Sequence, residues 1–127
     1  VDKLLELLPK HDIEKLKKEE RIHGAPVNFL RGLNWNAKCI VADEAQNMTK
    51  KELVTLVTRV GEFSKLYVCG DPDQSDINGK SGLTAIMNVF DDEDSRQNGI
   101  HIFRFDEDDV VRSGLVKFIL KKLKKFT

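Results

Sequence analysis

Two short apolar runs stand out along the chain, Cys39-Ile40-Val41-Ala42 and Leu66-Tyr67-Val68-Cys69, each followed at once by a polar, acidic cluster. Runs this short and continuous predict strands buried on both faces, as in a parallel sheet. Between them Leu53, Leu56, Val57 and Val60 recur at helical spacing. Thr49 and Glu52 stand where a capping box would open that helix, and Gly61 is its predicted stop. Ser81 predicts the cap of another helix, with Leu83, Ile86, Met87 and Phe90 on its apolar face. Asp91 to Asn98 predicts a polar surface loop, and Ile100 to Phe105 a strand. The last helix carries Val116, Ile119, Leu120 and Leu123 on one face and Lys117, Lys121, Lys122, Lys124 and Lys125 elsewhere. Asp106 to Asp109 at its start and the lysines at its end both suit the helix dipole. Residues 1–20 predict two helical pieces broken at Pro9, with Leu4, Leu5, Leu7 and Leu8 as an apolar cluster and Asp12 as the second N-cap. After the breaker Gly24-Ala25-Pro26, Val27-Asn28-Phe29-Leu30 predicts a short strand or edge. Strands alternating with helices predict an α/β fold with a mostly parallel sheet flanked by helices.

Composition narrows the class. At 127 residues, 40% hydrophobic and 33% charged, the chain is one domain or part of one. It begins with Val1, so a fragment or a processed product is expected. No apolar run approaches the ~20 residues of a membrane span, and no signal peptide is seen. The expectation is a cytoplasmic protein with no membrane partner. The 21 acidic and 21 basic residues cancel, so nothing global argues for nucleic acid. The charged run Lys15 to Arg21 reads as a solvated helix face or mobile insertion. The basic tail is explained by helix electrostatics, with nucleic-acid contact the lesser alternative. Cys39 and Cys69 read as small buried hydrophobes in a reducing compartment. His11 and His23 read as surface residues, and His101 as structural.

The chemistry lies where the apolar runs end. In open α/β sheets ligands bind beyond the carboxyl ends of the strands. Asp43 and Glu44 would stand at that edge after the first strand, and Gly70-Asp71-Pro72-Asp73-Gln74 after the second. An apolar strand ending in Asp-Glu has the Walker B pattern of P-loop NTPases, where the Asp helps to hold Mg²⁺ and the Glu orients the attacking water. An acidic turn that closes the strand and caps the next helix explains the pair equally well. Metal-dependent phosphoesterase chemistry is a third possibility if Asp71 and Asp73 converge on the pair.

Longer motifs carry a resemblance. Val41-Ala42-Asp43-Glu44-Ala45-Gln46-Asn47-Met48-Thr49 resembles the DEAQN-T signature of PhoH-like ATPases. In register with it, Thr58-Arg59-Val60-Gly61 resembles their TRxG element, Gly70-Asp71 with Gln74 their GDxxQ element, and Ser81-Gly82-Leu83 their SGL element. Asp109-Val110-Val111-Arg112 with Leu115-Val116 resembles their DVVRxxLV ending, and Ala25-Pro26 with Phe29-Leu30-Arg31-Gly32 their approach to Walker B. The resemblance covers residues 22–120 and implies a RecA-like P-loop NTPase fold with ATP and Mg²⁺ as cofactors. It implies Asp43 on the metal, Glu44 on the attacking water and Gln74 as γ-phosphate sensor, with Asp71 at the nucleotide. It implies Gln46 as a coupling residue at the nucleotide, and Arg112 or Arg59 as the transition-state cation, in cis or from a neighbouring subunit. RNA or single-stranded nucleic acid and a homo-oligomeric ring are the implied partners.

The chain departs from the family at Ala42, where a larger aliphatic is usual, and at Ser113, where His is common. No Walker A motif is present. Gly79-Lys80-Ser81 lacks the Gly five residues before its own, where Gln74 stands, and it follows Walker B when a P-loop should precede it. Lys80 therefore reads as a loop residue before a helix. Residues 1–127 are expected to be the C-terminal portion of a PhoH-like domain, with 1–21 a variable helical segment and 22–127 the core. A non-catalytic α/β interaction or RNA-binding module is the alternative.

Overall fold

The computed structural model describes residues 4, 6–27, 34–77, 79, 81–106, 109, 111 and 113–123. They fall in two units, residues 1–89 and 90–127.

The first unit is built on strands β1 (Cys39–Ala42) and β2 (Lys65–Val68), which pair in parallel with Ile40 opposite Leu66 and Ala42 opposite Val68. A parallel pair needs a crossover, and helix α2 (Lys50–Val57) supplies it. The capping box forms as predicted: Glu52 N–H donates to Thr49 Oγ1 at 3.3 Å, and Thr49 N–H donates to Glu52 Oε2 at 2.7 Å. The Thr49 backbone N–H, and then its hydroxyl, hold the Glu52 carboxyl below the usual carboxylate range. Helix α2 stops at Val57 with Thr58 as C-cap, ahead of Gly61. Val60 is drawn off by a parallel bridge to Trp35, and Gly61 N–H donates to Trp35 O at 2.7 Å. A Cβ on Gly61 would come within 2.6 Å of that same oxygen, so Gly61 is there for close chain approach rather than for ending a helix.

Helix α3 (Leu83–Phe90) starts two residues after Ser81, which therefore precedes the cap position it was expected to fill, although its Oγ accepts from Leu83 N–H at 3.3 Å. Leu53 and Leu56 of α2 and Leu83 of α3 form the buried core with Ala45 and Met48. Ile40, Ala42 and Leu66 pack against it from the sheet, as do Ile86 and Met87 from α3 and Val27 from the segment read as a strand or edge. The rest of that segment, residues 28–30, lies outside the described residues, as does Leu5. The strands were expected to be buried on both faces, and here only one face is covered. Val41 is 63% exposed and its register partner Tyr67 50%, because both helices pack on the opposite side. Cys39 shares the open face and Cys69 lies just past β2; both are free and exposed, which corrects the buried reading.

Ahead of the sheet, Leu7 and Leu8 N–H groups turn back to Leu4 O, and helix α1 (Lys10–Lys18) begins after Pro9. Pro9 itself takes the N-cap position and its carbonyl accepts from Asp12 N–H at 3.0 Å, so Asp12 is a first-turn residue and not the cap. Ile13 is the buried residue of α1, while Lys15, Lys17 and Lys18 are exposed, the solvated face that was expected.

In the second unit, Asp91 to Asn98 holds helix α4 (Glu93–Gln97) where a loop was predicted. Asp92 caps it, accepting from Ser95 N–H at 2.8 Å, and the Ser95 hydroxyl and backbone N–H keep its carboxyl low. Residues 100–105 form no strand, and Phe103 and Phe105 are exposed. His101 is exposed and stacks obliquely on Phe103. Helix α5 (Gly114–Leu123) starts beyond Asp109, so the Asp106–Asp109 acids are not in its first turn; Asp109 Oδ2 instead accepts from Asp106 N–H at 2.8 Å. Its last turn does carry Lys121 and Lys122, while Lys124 and Lys125 lie outside the described residues. Among the described residues no helix is long and apolar enough to cross a membrane.

Candidate functional site

Parallel pairing delivers both acidic motifs to one edge of the sheet. Beyond Ala42 the ladder continues: Cys69 N–H donates to Ala42 O at 2.8 Å, and Ala45 N–H donates to Cys69 O at 2.9 Å. The second bond pulls the chain back toward β2 within three residues of the strand end. Glu44 absorbs the reversal in the left-handed region, φ 55° and ψ 37°. A residue with a Cβ pays about 1–3 kcal/mol for such a conformation and holds it only where its surroundings demand it. Asp43 Oδ1 accepts from Glu44 N–H at 3.0 Å and steadies the turn. A 3-10 turn, Ala45–Asn47, follows with Ala45 fully buried.

After β2, Asp71 opens a second 3-10 turn, Pro72–Gln74, by accepting from Asp73 N–H at 3.0 Å. Gln74 Nε2 donates to Asp71 Oδ2 at 2.5 Å. Ser75 Oγ donates to Gln46 O at 3.1 Å and Asp76 N–H to Asn47 Oδ1 at 2.9 Å, so the two turns are laced together.

Gln46 joins them at the centre and is 3% exposed, the buried polar residue of the core. Its Oε1 accepts from Asp71 N–H at 3.1 Å, and its Nε2 donates to Glu44 Oε2 at 2.6 Å. A Cβ on Gly70 would stand 2.7 Å from Gln46 Oε1 and 3.0 Å from Gln46 N, so only glycine lets β2 pass this amide. This central position of Gln46 was not read from the sequence. Its signal was a polar side chain set between the apolar Ala45 and Met48, with Gly70 at the facing strand end.

The edge therefore presents Asp43, Glu44, Asp71, Asp73 and Gln74, all exposed, around one buried amide. Exposed carboxylate oxygens suit a hard cation such as Mg²⁺, which takes one or two protein carboxylates and fills its shell with water and phosphate. Among the described residues no group of three or more His, Cys, Asp or Glu could hold a metal ion alone. The phosphoesterase alternative, which needs such a set, has none there. Arg59 lies elsewhere. It follows α2 at the amino edge of the sheet, its carbonyl accepting from Trp35 N–H at 3.0 Å just before β1 begins. A strand of four residues, about 13 Å long, separates that edge from Asp43. Arg59 Nε is buried without a hydrogen-bond partner among the described residues. Arg112 and Lys80 lie outside the described residues. Ser81, next to Lys80, spends its hydroxyl on the start of α3.

A family profile described as PhoH-like protein matches residues 1–124. The chain belongs to the PhoH-like family. A PhoH-like protein of Mycobacterium bovis is 38% identical over 121 residues, 94% of this chain and 33% of the relative. A PhoH-like protein of Bacillus subtilis is 32% identical over 126 residues, 98% of this chain and 38% of the relative. Protein PhoH of Escherichia coli is 32% identical over 97 residues, 75% of this chain and 26% of the relative. The chain spans about a third of the length of the curated PhoH-like relatives it matches.

Proposed function

We propose that the intact PhoH-like protein binds ATP and hydrolyses it with Mg²⁺, and that this chain carries the hydrolytic edge of its RecA-like P-loop domain. The observation that carries this reading is the convergence of Asp43-Glu44 and Asp71–Gln74 on one sheet edge, which β1 and β2 achieve by running parallel. Asp43 would hold Mg²⁺, largely through water, and the bound cation would neutralise charge on the phosphates. Glu44 would orient the attacking water and accept its proton. Gln74 and Asp71, on the neighbouring turn, would meet the γ-phosphate side of the nucleotide and report its loss. The sequence ahead of Asp43 contains no Gly-rich loop with Lys and Ser or Thr, so the main phosphate contacts would come from the remainder of the longer protein.

The transition-state cation is assigned to Arg112 in cis or to an arginine from a neighbouring subunit of a homo-oligomeric ring. Arg59 fits only the second arrangement, since its backbone is at the far edge of the sheet. RNA or single-stranded nucleic acid is the partner proposed for coupling, as in superfamily 1 helicases. The test is steady-state phosphate release by the full-length protein carrying Asp43→Asn. Loss of Mg²⁺-dependent turnover is expected. Parental turnover at the same Mg²⁺ concentration would overturn the metal assignment.

A further inference from the structure

The Gln46 side chain is placed with unusual care for a residue that faces no solvent. It is 3% exposed, and its amide group makes two hydrogen bonds, one to each motif, while the Gln46 backbone O accepts a third from Ser75 Oγ. Its orientation is not free. The Asp71 backbone N–H can only donate, so it must face Oε1, and Nε2 is left pointing at Glu44 Oε2. The amide thus transmits the position of one turn to the carboxylate of the other. Glu44 is also the residue held at φ 55°, a conformation that needs support from its surroundings. Gly70 supplies the clearance, for a Cβ there would meet Oε1 at 2.7 Å.

We propose that Gln46 is a positioning residue that ties the Glu44 carboxylate to the backbone of the Asp71–Gln74 turn, so that Glu44 is correctly aimed only while that turn is in place. The proposal rests on the ATPase reading. It goes further in making the readiness of Glu44 depend on Gln46 and on the neighbouring turn. A turn that shifts when the γ-phosphate leaves would carry the amide with it and release Glu44. The chain therefore contains a direct mechanical link between phosphate sensing and water activation, one side chain long.

The experiment uses the full-length protein and separates the tie from the chemistry. Gln46→Met keeps length and volume but neither hydrogen bond. Its kcat is expected to fall about 10²-fold, the scale of a misaimed catalytic group, with KM for ATP nearly unchanged. Combined with Glu44→Gln, it is expected to cause no further fall in single-turnover rate, since Gln46 acts through Glu44. Gln46→Glu keeps the bond to Asp71 N–H but sets a carboxylate against Glu44, and is expected to lower the melting temperature. The exchanged pair Glu44→Gln with Gln46→Glu re-forms the amide–carboxylate bond in reverse, and is expected to recover the melting temperature while remaining slow. Melting losses that simply add in the exchanged pair would show that no tie exists. An equal further fall of Gln46→Met in the Glu44→Gln background would show a structural role only. An active parent with Gln46→Met at parental kcat overturns this inference alone. A parent that releases no phosphate overturns the ATPase reading, and the catalytic role of Gln46 with it.

Discussion

Glu44 combines an exposed carboxylate, a left-handed backbone and an amide donor at 2.6 Å. Only the carboxylate is chemistry; the other two are placement. Replacing Glu44 by Gln keeps the shape and removes the proposed proton acceptor. In the full-length protein Glu44→Gln is expected to bind ATP nearly as well as the parent and to turn over ~10²–10⁴-fold more slowly. Turnover within a few-fold of the parent would show that another group accepts the proton. The placement of Asp43 and Glu44 at the end of β1 was legible in the sequence because its signal is local: an apolar run ends, and two acids follow. The resemblance implied a coupling role for Gln46, but its buried position between the two turns was not legible, because its carbonyl partner is Asp71 N–H, 25 residues away, and only the parallel register brings them together. Arg59 failed as a neighbour of Asp43 for the same reason in reverse. Its motif matched, but α2 returns the chain to the opposite edge before Arg59 is reached.

At the scale of elements, signals confined to one turn read to within a residue. The Thr49–Glu52 capping box formed where its spacing put it, whereas Ser81 lies one residue ahead of the cap position of α3 and only its hydroxyl bond to Leu83 N–H touches the helix start. Thr49→Ala is expected to destabilise the unit by roughly 0.5–2 kcal/mol, measured by chemical denaturation at neutral pH. The same cap makes a pH prediction. The Glu52 carboxyl is lowered in the folded chain, chiefly by the Thr49 backbone N–H. Its stabilisation is therefore complete above the ordinary carboxylate pKa and is lost as pH falls through the lowered one. Glu52→Ala, which removes the titrating group, should cost less below that point, and a constant penalty down to strong acid would place the capping energy elsewhere. Packing between elements gives another test. A Cβ on Gly82 would lie 2.5 Å from Lys50 Cα and 2.6 Å from Lys50 N, backbone that cannot swing aside. Gly82→Ala should cost about 1–3 kcal/mol by forcing α2 and α3 apart, read in the same denaturation assay. Where an element depends on a distant partner, the sequence misled. Ile100 to Phe105 alternates, imperfectly, as a strand would, yet joins no sheet among the described residues. The acids at 91–98 looked like a loop because Asp92 was not recognised as a cap.

At the scale of the molecule, the chain carries the sheet edge proposed as hydrolytic, and its sequence contains no Gly-rich loop with Lys and Ser or Thr ahead of Asp43. P-loop enzymes draw most of their phosphate contacts from backbone N–H groups of the Gly-rich loop and from its Lys and Ser or Thr. What this chain offers a triphosphate is Asp43, Glu44, Asp71 and Asp73, all exposed acids that repel it unless a cation intervenes. The open face of the sheet adds a second consequence. Val41 at 63% and Tyr67 at 50% exposure sit opposite each other on β1 and β2, and among the described residues no further strand pairs with either outer edge. The isolated 127-residue chain is therefore expected to bind Mg·ATP weakly, to release no phosphate, and to self-associate as its concentration rises. Calorimetric titration with Mg·ATP, a phosphate-release assay and sedimentation over a concentration series read these outcomes separately. Micromolar binding or sustained turnover would mean that a phosphate-binding loop lies within this chain, with Gly79-Lys80-Ser81 the first segment to substitute. A chain that stays monomeric throughout would mean that Val41 and Tyr67 are covered in solution. Val41→Thr with Tyr67→Thr should then destabilise the monomer, whereas on an open face the same pair should lower self-association and leave stability nearly untouched.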